Sequence, residues 1–305
     1  MNARLGLLQV CAAGVLWGTG GLVVTVLHER DGVGAMTVSA WRMLIAAVAL
    51  VAFVVLTRRL ASVRAVLREH PVAAIVIGCG TAIYQGLYFV SVLMVGVSVA
   101  TVVSLGLAPV LAATWEHLRA RTRPGVRDIA VLAAALTGLV LISATAGHGT
   151  AAPADRPVLG LVLAVAAGAT YAATTVLGHV LAPRLEPVAL TTCATGAGAV
   201  LLAPFLVLAV ATGEPVAGTS PGSLALLAYL GIATMALSYG LLYAGLRTTS
   251  GSAATVATLV EPISAAALAS VVLGERLGPA GLVGAALILC AVVALRPEED
   301  QPVAA

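Results

Sequence analysis

Glu261 is a carboxylate in the middle of an apolar stretch, Ala253–Leu273. It lies about eight residues into that stretch, roughly 12 Å deep at about 1.5 Å per residue. If the stretch crosses a bilayer, that depth is close to the midplane. A charged acid there costs about 2.5–3.5 kcal/mol on insertion scales. Such a group is protonated, paired or set against a wet cavity, so its candidate chemistry is that of a proton carrier or a site for a substrate amine. The competing reading is a neutral acid that hydrogen-bonds a neighbouring helix, helped by the carbonyl freed at Pro262.

Aromatic residues are the second candidate set. They make up 4% of the chain, yet Tyr84 and Tyr88 sit four residues apart in one apolar stretch, and Tyr239 and Tyr243 four apart in another. Spacing of four puts each pair on one helix face. Trp17 and Tyr171 are 154 residues apart. Such faces, with Gln85 beside them, suit a mostly apolar cavity with a few polar contacts, able to hold a cation or an aromatic ring. The alternative is packing or anchoring at the membrane surface. Tyr88 and Tyr243, near the ends of their stretches, fit that belt; for Trp17, Tyr84, Tyr171 and Tyr239 the cavity reading is preferred.

Pro109 and Pro262 interrupt equivalent apolar stretches of the two halves and are candidate hinges, because proline removes a backbone hydrogen bond; a static kink is the alternative. Gly14 and Gly18 form a G-x-x-x-G pair suited to close helix packing. Other polar groups are given little weight. Arg42, about 6 Å into its stretch, is expected to snorkel outward. Glu116 and His117 are expected to pair with the Arg119–Arg127 loop, and His179 lies near a helix end. Cys11, Cys79, Cys193 and Cys290 are far apart without metal-type spacing, which predicts buried free thiols. No phosphate loop, metal cluster or nucleophile with its base is present, so no cofactor is expected and ATP-driven transport by this chain alone is excluded.

The elements that hold these residues follow from composition. The chain has 305 residues, 60% hydrophobic and 10% charged, with a mean hydropathy of +1.07. Soluble domains carry about 25% charged residues, so a soluble enzyme is excluded. Its 16 basic residues are all arginine, without the basic–aromatic runs of a nucleic-acid binder.

Ten apolar stretches are predicted to be helices: Leu5–Leu27, Val38–Leu56, Val72–Val92, Val99–Leu118, Val126–Ala144, Val158–Leu181, Val188–Val210, Leu224–Leu246, Ala253–Leu273 and Ala280–Leu295. With a cytoplasmic N-terminus, twelve arginines fall on the inside connections and Arg30, Arg156 and Arg276 on the outside. That bias predicts both termini to be cytoplasmic. Arg4 followed by an apolar run, with Leu8-Gln9-Val10-Cys11 after it, faintly resembles a cleavable leader. The same stretch recurs mid-chain, so it is read as the first helix.

Shifting the sequence by 154 residues superimposes its halves. Leu5-Gly6-Leu7 meets Leu159-Gly160-Leu161, Ala12-Ala13-Gly14 meets Ala166-Ala167-Gly168, and Gly86-Leu87 meets Gly240-Leu241. Ser98, Ala100, Thr101 and Val102 meet Ser252, Ala254, Thr255 and Val256. Five helices per copy is odd, so the second copy enters the membrane inverted, as in many secondary transporters with a midplane site between repeats. The predicted fold is all-α and integral to the membrane: ten transmembrane helices as two inverted five-helix repeats, residues 1–150 and 151–305.

The chain also resembles the drug/metabolite transporter superfamily, specifically its EamA-type members. The resemblance rests on Trp17-Gly18, Arg42, Gln85-Gly86-Leu87-Tyr88-Phe89 leading to Ser98-Val99-Ala100-Thr101, Glu261-Pro262-Ile263, and Leu273-Gly274-Glu275-Arg276-Leu277. The first copy departs from the last motif, with Leu118-Arg119-Ala120-Arg121 where Leu-Gly-Glu is expected. The resemblance implies transport of small metabolites, often amino acids, without ATP.

These readings predict a secondary transporter in a bacterial inner membrane, working by alternating access and read as an exporter. Its partners are a small-molecule substrate, the lipid bilayer and, through Glu261, a candidate proton; nucleic acid is not among them. Substrate would reach Trp17, Tyr84, Gln85, Tyr88, Tyr171, Tyr239, Tyr243 and Glu261. The alternatives are a lipid or polyprenyl-carrier flippase of similar build, which calls for a basic headgroup site, and a membrane receptor or enzyme, which calls for a large loop or a catalytic constellation. Substrate, coupling ion and oligomeric state stay open.

Overall fold

The computed structural model describes residues 3–95, 97–145, 157–272 and 278–295, and among them the chain forms helices and turns with no strand. The helices are α1 (Ala3–Asp31), α2 (Ala35–Leu56), α3 (Leu60–Glu69), α4 (Pro71–Val95), α5 (Val97–Ala120), α6 (Val126–Thr145), α7 (Pro157–Leu181), α8 (Pro187–Thr212), α9 (Pro221–Gly231), α10 (Ser238–Gly245), α11 (Gly251–Ala257), α12 (Val260–Val272) and α13 (Pro279–Ala294). A π-helical turn, Ile232–Leu237, joins α9 to α10. Among the described residues, nine segments are long and apolar enough to cross a membrane, and α13 is a shorter apolar helix. Arg156, Arg276, Arg296 and the Leu273–Leu277 motif lie outside the described residues, as does most of the break between the two halves.

Several helix ends follow directly from local sequence. Gly32 and Gly213 adopt φ of 69° and 73° just beyond α1 and α8, the left-handed conformation glycine takes without a Cβ clash. Ser220 and Ser250 cap α9 and α11, their hydroxyls accepting from the backbone N–H of Ser223 and Ala253.

The packing inverts the pattern of a soluble protein. Large apolar side chains such as Val48, Val200, Val207, Leu282 and Val293 are exposed on α2, α8 and α13, as a hydrocarbon surround requires. Inside the bundle, many buried hydroxyls donate to a carbonyl one turn back along the chain. Thr81 donates to the Ile77 carbonyl at 2.8 Å, Ser104 to Ala100 at 2.7 Å, Thr195 to Thr191 at 2.8 Å and Thr234 to Leu230 at 2.7 Å. Cys11, Cys79 and Cys193 are half-buried free thiols, while Cys290 is exposed, contrary to the expectation that all four are buried.

Small residues let the helices touch. Gly14 on α1 faces the backbone of Thr258, and Gly168 on α7 faces the backbone of Ser104. Gly138 on α6 and Gly284 on α13 face each other's carbonyls. α2 packs on α8, α6 on α13, α7 on both α4 and α5, and α1 on both α10 and α12.

Three local features depart from the sequence reading. α3 is an additional short helix in what was read as a connection. The stretch Leu224–Leu246 contains the π turn. Ala253–Leu273 is not one helix, because it breaks at Thr258–Leu259. Pro262 has no N–H to give the Thr258 carbonyl, and the Glu261 N–H takes that carbonyl instead, at 2.9 Å. The Leu259 N–H likewise reaches back to Val256 at 3.1 Å, so the chain tightens and restarts as α12. Pro262 itself lies in the first turn of α12, and α5 runs through Pro109 without a break. The two prolines therefore do not interrupt their helices in the same way.

Candidate functional site

Four helices bring the predicted aromatic residues together. Tyr84 on α4 stacks on Tyr171 of α7, with ring centroids 5.1 Å apart and planes 26° from parallel. Trp17 on α1 meets Tyr171 edge-on at 6.4 Å and Tyr239 of α10 at 5.1 Å. The two ends are extended by Tyr88 against Tyr84 at 6.1 Å and by Tyr243 against Tyr239 at 6.1 Å. All six rings thus form one chain through the bundle. Quadrupole geometry favours such offset and edge contacts.

A small cavity, with room on the order of one water molecule, is bounded by Tyr84, Tyr171, Tyr239 and Tyr243, and Thr81, Thr174, Thr175 and Leu242 complete its wall. Tyr243 is buried and lines this cavity, so it is not an interfacial anchor. Tyr88 is half-buried and pairs its hydroxyl with that of Thr101 at 2.8 Å; it too turns inward. The sequence placed both near helix ends, but rotation about the helix, not height, decides what a ring faces.

The hydroxyls of Tyr171 and Thr258 lie 2.9 Å apart. Thr258 sits at the break between α11 and α12, so this bond ties the stacked rings to the point where the chain restarts. Gly18, one residue after Trp17, lies against the Glu261 carbonyl and Ser264. That close approach seats the first turn of α12 beside the aromatic chain.

Glu261 lies inside the bundle yet keeps some accessible surface. Its charge is felt by Arg42, Tyr84, Tyr88, Tyr171 and Tyr239. Arg42 is the residue that sequence reasoning undervalued. It does not snorkel outward. Its guanidinium turns into the bundle, where one terminal nitrogen donates to Gln85 Oε1 at 3.4 Å and the other to the Thr234 hydroxyl at 3.2 Å. Thr234 belongs to the π turn, a feature frequent at functional sites. Gln85 is buried and tethered to the Thr81 carbonyl at 3.5 Å. The signal available in the sequence was the position of Arg42 within an apolar helix, since intramembrane charges default to functional hypotheses.

The remaining polar candidates lie elsewhere. Glu116 does not pair with the arginine loop; it accepts from the backbone N–H and hydroxyl of Ser252, at the start of α11. His117 contacts Thr122 and His179 the Leu246 carbonyl. Among the described residues, the ion pair is Arg59 with Glu186, linking the end of α2 to the start of α8. No group of three or more His, Cys, Asp or Glu among those residues could hold a metal ion.

Comparison with known proteins follows the same division into halves. The EamA-like transporter family matches residues 4–144 and again 158–296. The chain is 28% identical over 301 residues to the uncharacterized transporter YwfM of Bacillus subtilis (strain 168), covering 97% of this chain and 95% of that protein. It is 26% identical over 294 residues to the uncharacterized inner membrane transporter YicL of Salmonella typhimurium (strain LT2), covering 96% and 95%. A solved crystal structure shares the fold with a TM-score of 0.77 at 21% identity, covering 95% of each chain.

Proposed function

The chain belongs to the EamA-like transporter family and is a multi-pass membrane transporter, and from that premise we propose that it exports small metabolites, amino acids among them, from a bacterial cell by alternating access. It does so as a secondary transporter in the inner membrane, with both termini cytoplasmic, and not as an enzyme. Ten crossings form two inverted five-helix repeats, residues 1–150 and 151–305. The packing supports this: Gly14 against Thr258 and Gly168 against Ser104 are the same contact shifted by 154 residues. The pairs α2 with α8 and α6 with α13 bring equivalent helices of the two halves together.

The observation that carries the functional reading is the aromatic chain with Glu261 beside it. Tyr84, Tyr171 and Tyr239 come from helices of both halves and line one cavity, with Trp17 packed against Tyr171 and Tyr239, and repeat-built transporters bind substrate between their halves. Substrate contacts these rings together with Gln85, Tyr88, Tyr243 and Glu261. Its cavity opens to each side in turn as the halves rock, with the break before Pro262 and the backbone hydrogen bond that Pro109 cannot make as the hinges. Glu261 carries the coupled proton. The test is flux of a metabolite panel in proteoliposomes, with and without a pH gradient. Flux that responds to the gradient supports the proton role; flux blind to it removes that role.

A further inference from the structure

The aromatic chain is flanked by a cation and a carboxylate that do not pair. Among the described residues, the ion pair within 4.0 Å is Arg59 with Glu186, so Arg42 and Glu261 stand further apart than that while each feels the other's charge. The two charges arrive from different halves, Arg42 on α2 and Glu261 on α12. Tyr84 and Tyr239 are within electrostatic reach of both.

Arg42 is poorly satisfied. A guanidinium has five N–H donors in a rigid fork. Here its contacts are the Gln85 oxygen at 3.4 Å and the Thr234 hydroxyl and carbonyl at 3.2 and 3.5 Å. All are neutral acceptors at long range, and Nε is buried without any partner. Among the described residues, nothing anionic touches it. A part-buried cation left this way is costly, and a carboxylate is the ligand its fork matches in two parallel bonds. Glu261 has the complementary deficit, because no hydrogen bond to its carboxylate is formed by the described residues.

The geometry points to Arg42 as an anion subsite beside the aromatic chain, taking the carboxylate of a zwitterionic substrate whose ammonium faces Glu261. This rests on the transporter reading and assigns the two ends of the substrate. The neighbouring aromatic faces supply cation–π attraction for the ammonium and apolar contact for the substrate's body. Gln85 and Thr234 act as the resting partners of Arg42, held weakly enough to be released. In the second half, the position 154 residues on from Arg42 is Gly196, so the subsite has a cation on one side only and orients its ligand.

The test measures binding to the purified full-length protein of four matched probes: L-leucine, L-leucinamide, 4-methylpentanoate and 3-methylbutylamine. Leucine is expected to bind about tenfold more tightly than leucinamide, the scale of a charge-assisted hydrogen bond, and 4-methylpentanoate more tightly than 3-methylbutylamine. Arg42→Gln is expected to bring leucine down to the leucinamide value while leaving leucinamide unchanged, and Arg42→Lys to restore part of the preference. Equal binding of leucine and leucinamide by the wild type, or binding of neither, overturns the assignment. So does an Arg42→Gln protein that is folded by its size-exclusion profile and loses leucine and leucinamide alike, which marks Arg42 as a tether only. Metabolite flux in proteoliposomes that ignores carboxylates leaves the transporter reading standing while removing this subsite. Carboxylate-dependent leucine binding with no flux of any metabolite does the reverse.

Discussion

Trp17 and Tyr171, at equivalent positions 154 residues apart, meet edge to face with ring centroids 6.4 Å apart. The sequence repeat is therefore also a physical contact, and it lies where the two halves share a surface. Each ring also has a partner of its own, Tyr239 for Trp17 and Tyr84 for Tyr171, so the contact is the centre of the aromatic chain.

Removing Trp17 breaks that chain in its middle. Trp17→Ala deletes two ring contacts, each worth about 0.5–1.5 kcal/mol beyond area burial, and opens a void between α1, α7 and α10. Flux in proteoliposomes is expected to fall at least about tenfold, with a lowered melting temperature, while Trp17→Phe retains most of both. An alanine variant that transports at the wild-type rate would show that the rings do not shape the route.

The Tyr171–Thr258 bond makes a separable prediction. Thr258→Val leaves the Tyr171 hydroxyl without its partner, a loss of about 1–3 kcal/mol. Adding Tyr171→Phe removes the orphaned group and is expected to recover part of that loss. A double-mutant cycle on unfolding should give a coupling near the membrane range of about 0.6–1.7 kcal/mol. Strictly additive variants would mean that the bond does not hold the break in place.

Two glycines should respond in opposite ways. A Cβ on Gly138 would lie 2.6 Å from the Gly284 carbonyl oxygen, whereas one on Gly196 meets nothing within 4 Å. Gly138→Ala is expected to push α6 from α13 and lower the melting temperature. Gly196→Ala, within α8, is expected to raise stability by about 0.4–1 kcal/mol through the unfolded chain. Equal effects on thermal unfolding would contradict the packing described for α6 and α13.

Glu261 supplies the pH prediction. The charged groups and phenols that share its surroundings are Arg42, Tyr84, Tyr88, Tyr171 and Tyr239, and it is the carboxylate among them. If Glu261 carries the coupled proton, Glu261→Gln flattens the pH profile of flux and removes the response to an imposed gradient, while metabolite exchange at equal pH persists. A variant that keeps the wild-type pH profile would assign the proton elsewhere.

Helix positions were legible in the sequence because hydrocarbon demands long apolar runs, and the aromatic set was legible because few aromatics recur at one offset. The break before Glu261 was less so: Pro262 announced a disturbance, but only the backbone shows Glu261 N–H taking the Thr258 carbonyl in proline's place. Arg42 was misread for a reason of the same kind. Its depth allowed snorkelling, and the inward turn depends on acceptors from Gln85 and Thr234, which lie 43 and 192 residues away. The π turn that presents Thr234 has no signature in the sequence of that helix. The route of Glu116 to Ser252, 136 residues on, was invisible in the same way.

The central claim is transport through the aromatic cavity, and its most direct measurement is metabolite flux into proteoliposomes holding wild-type protein or Trp17→Ala. Protein-free liposomes set the background. The account predicts protein-dependent, saturable flux of at least one small metabolite, lost in the Trp17→Ala protein. Flux no greater than in protein-free liposomes for every metabolite, or equal flux through both proteins, would contradict it.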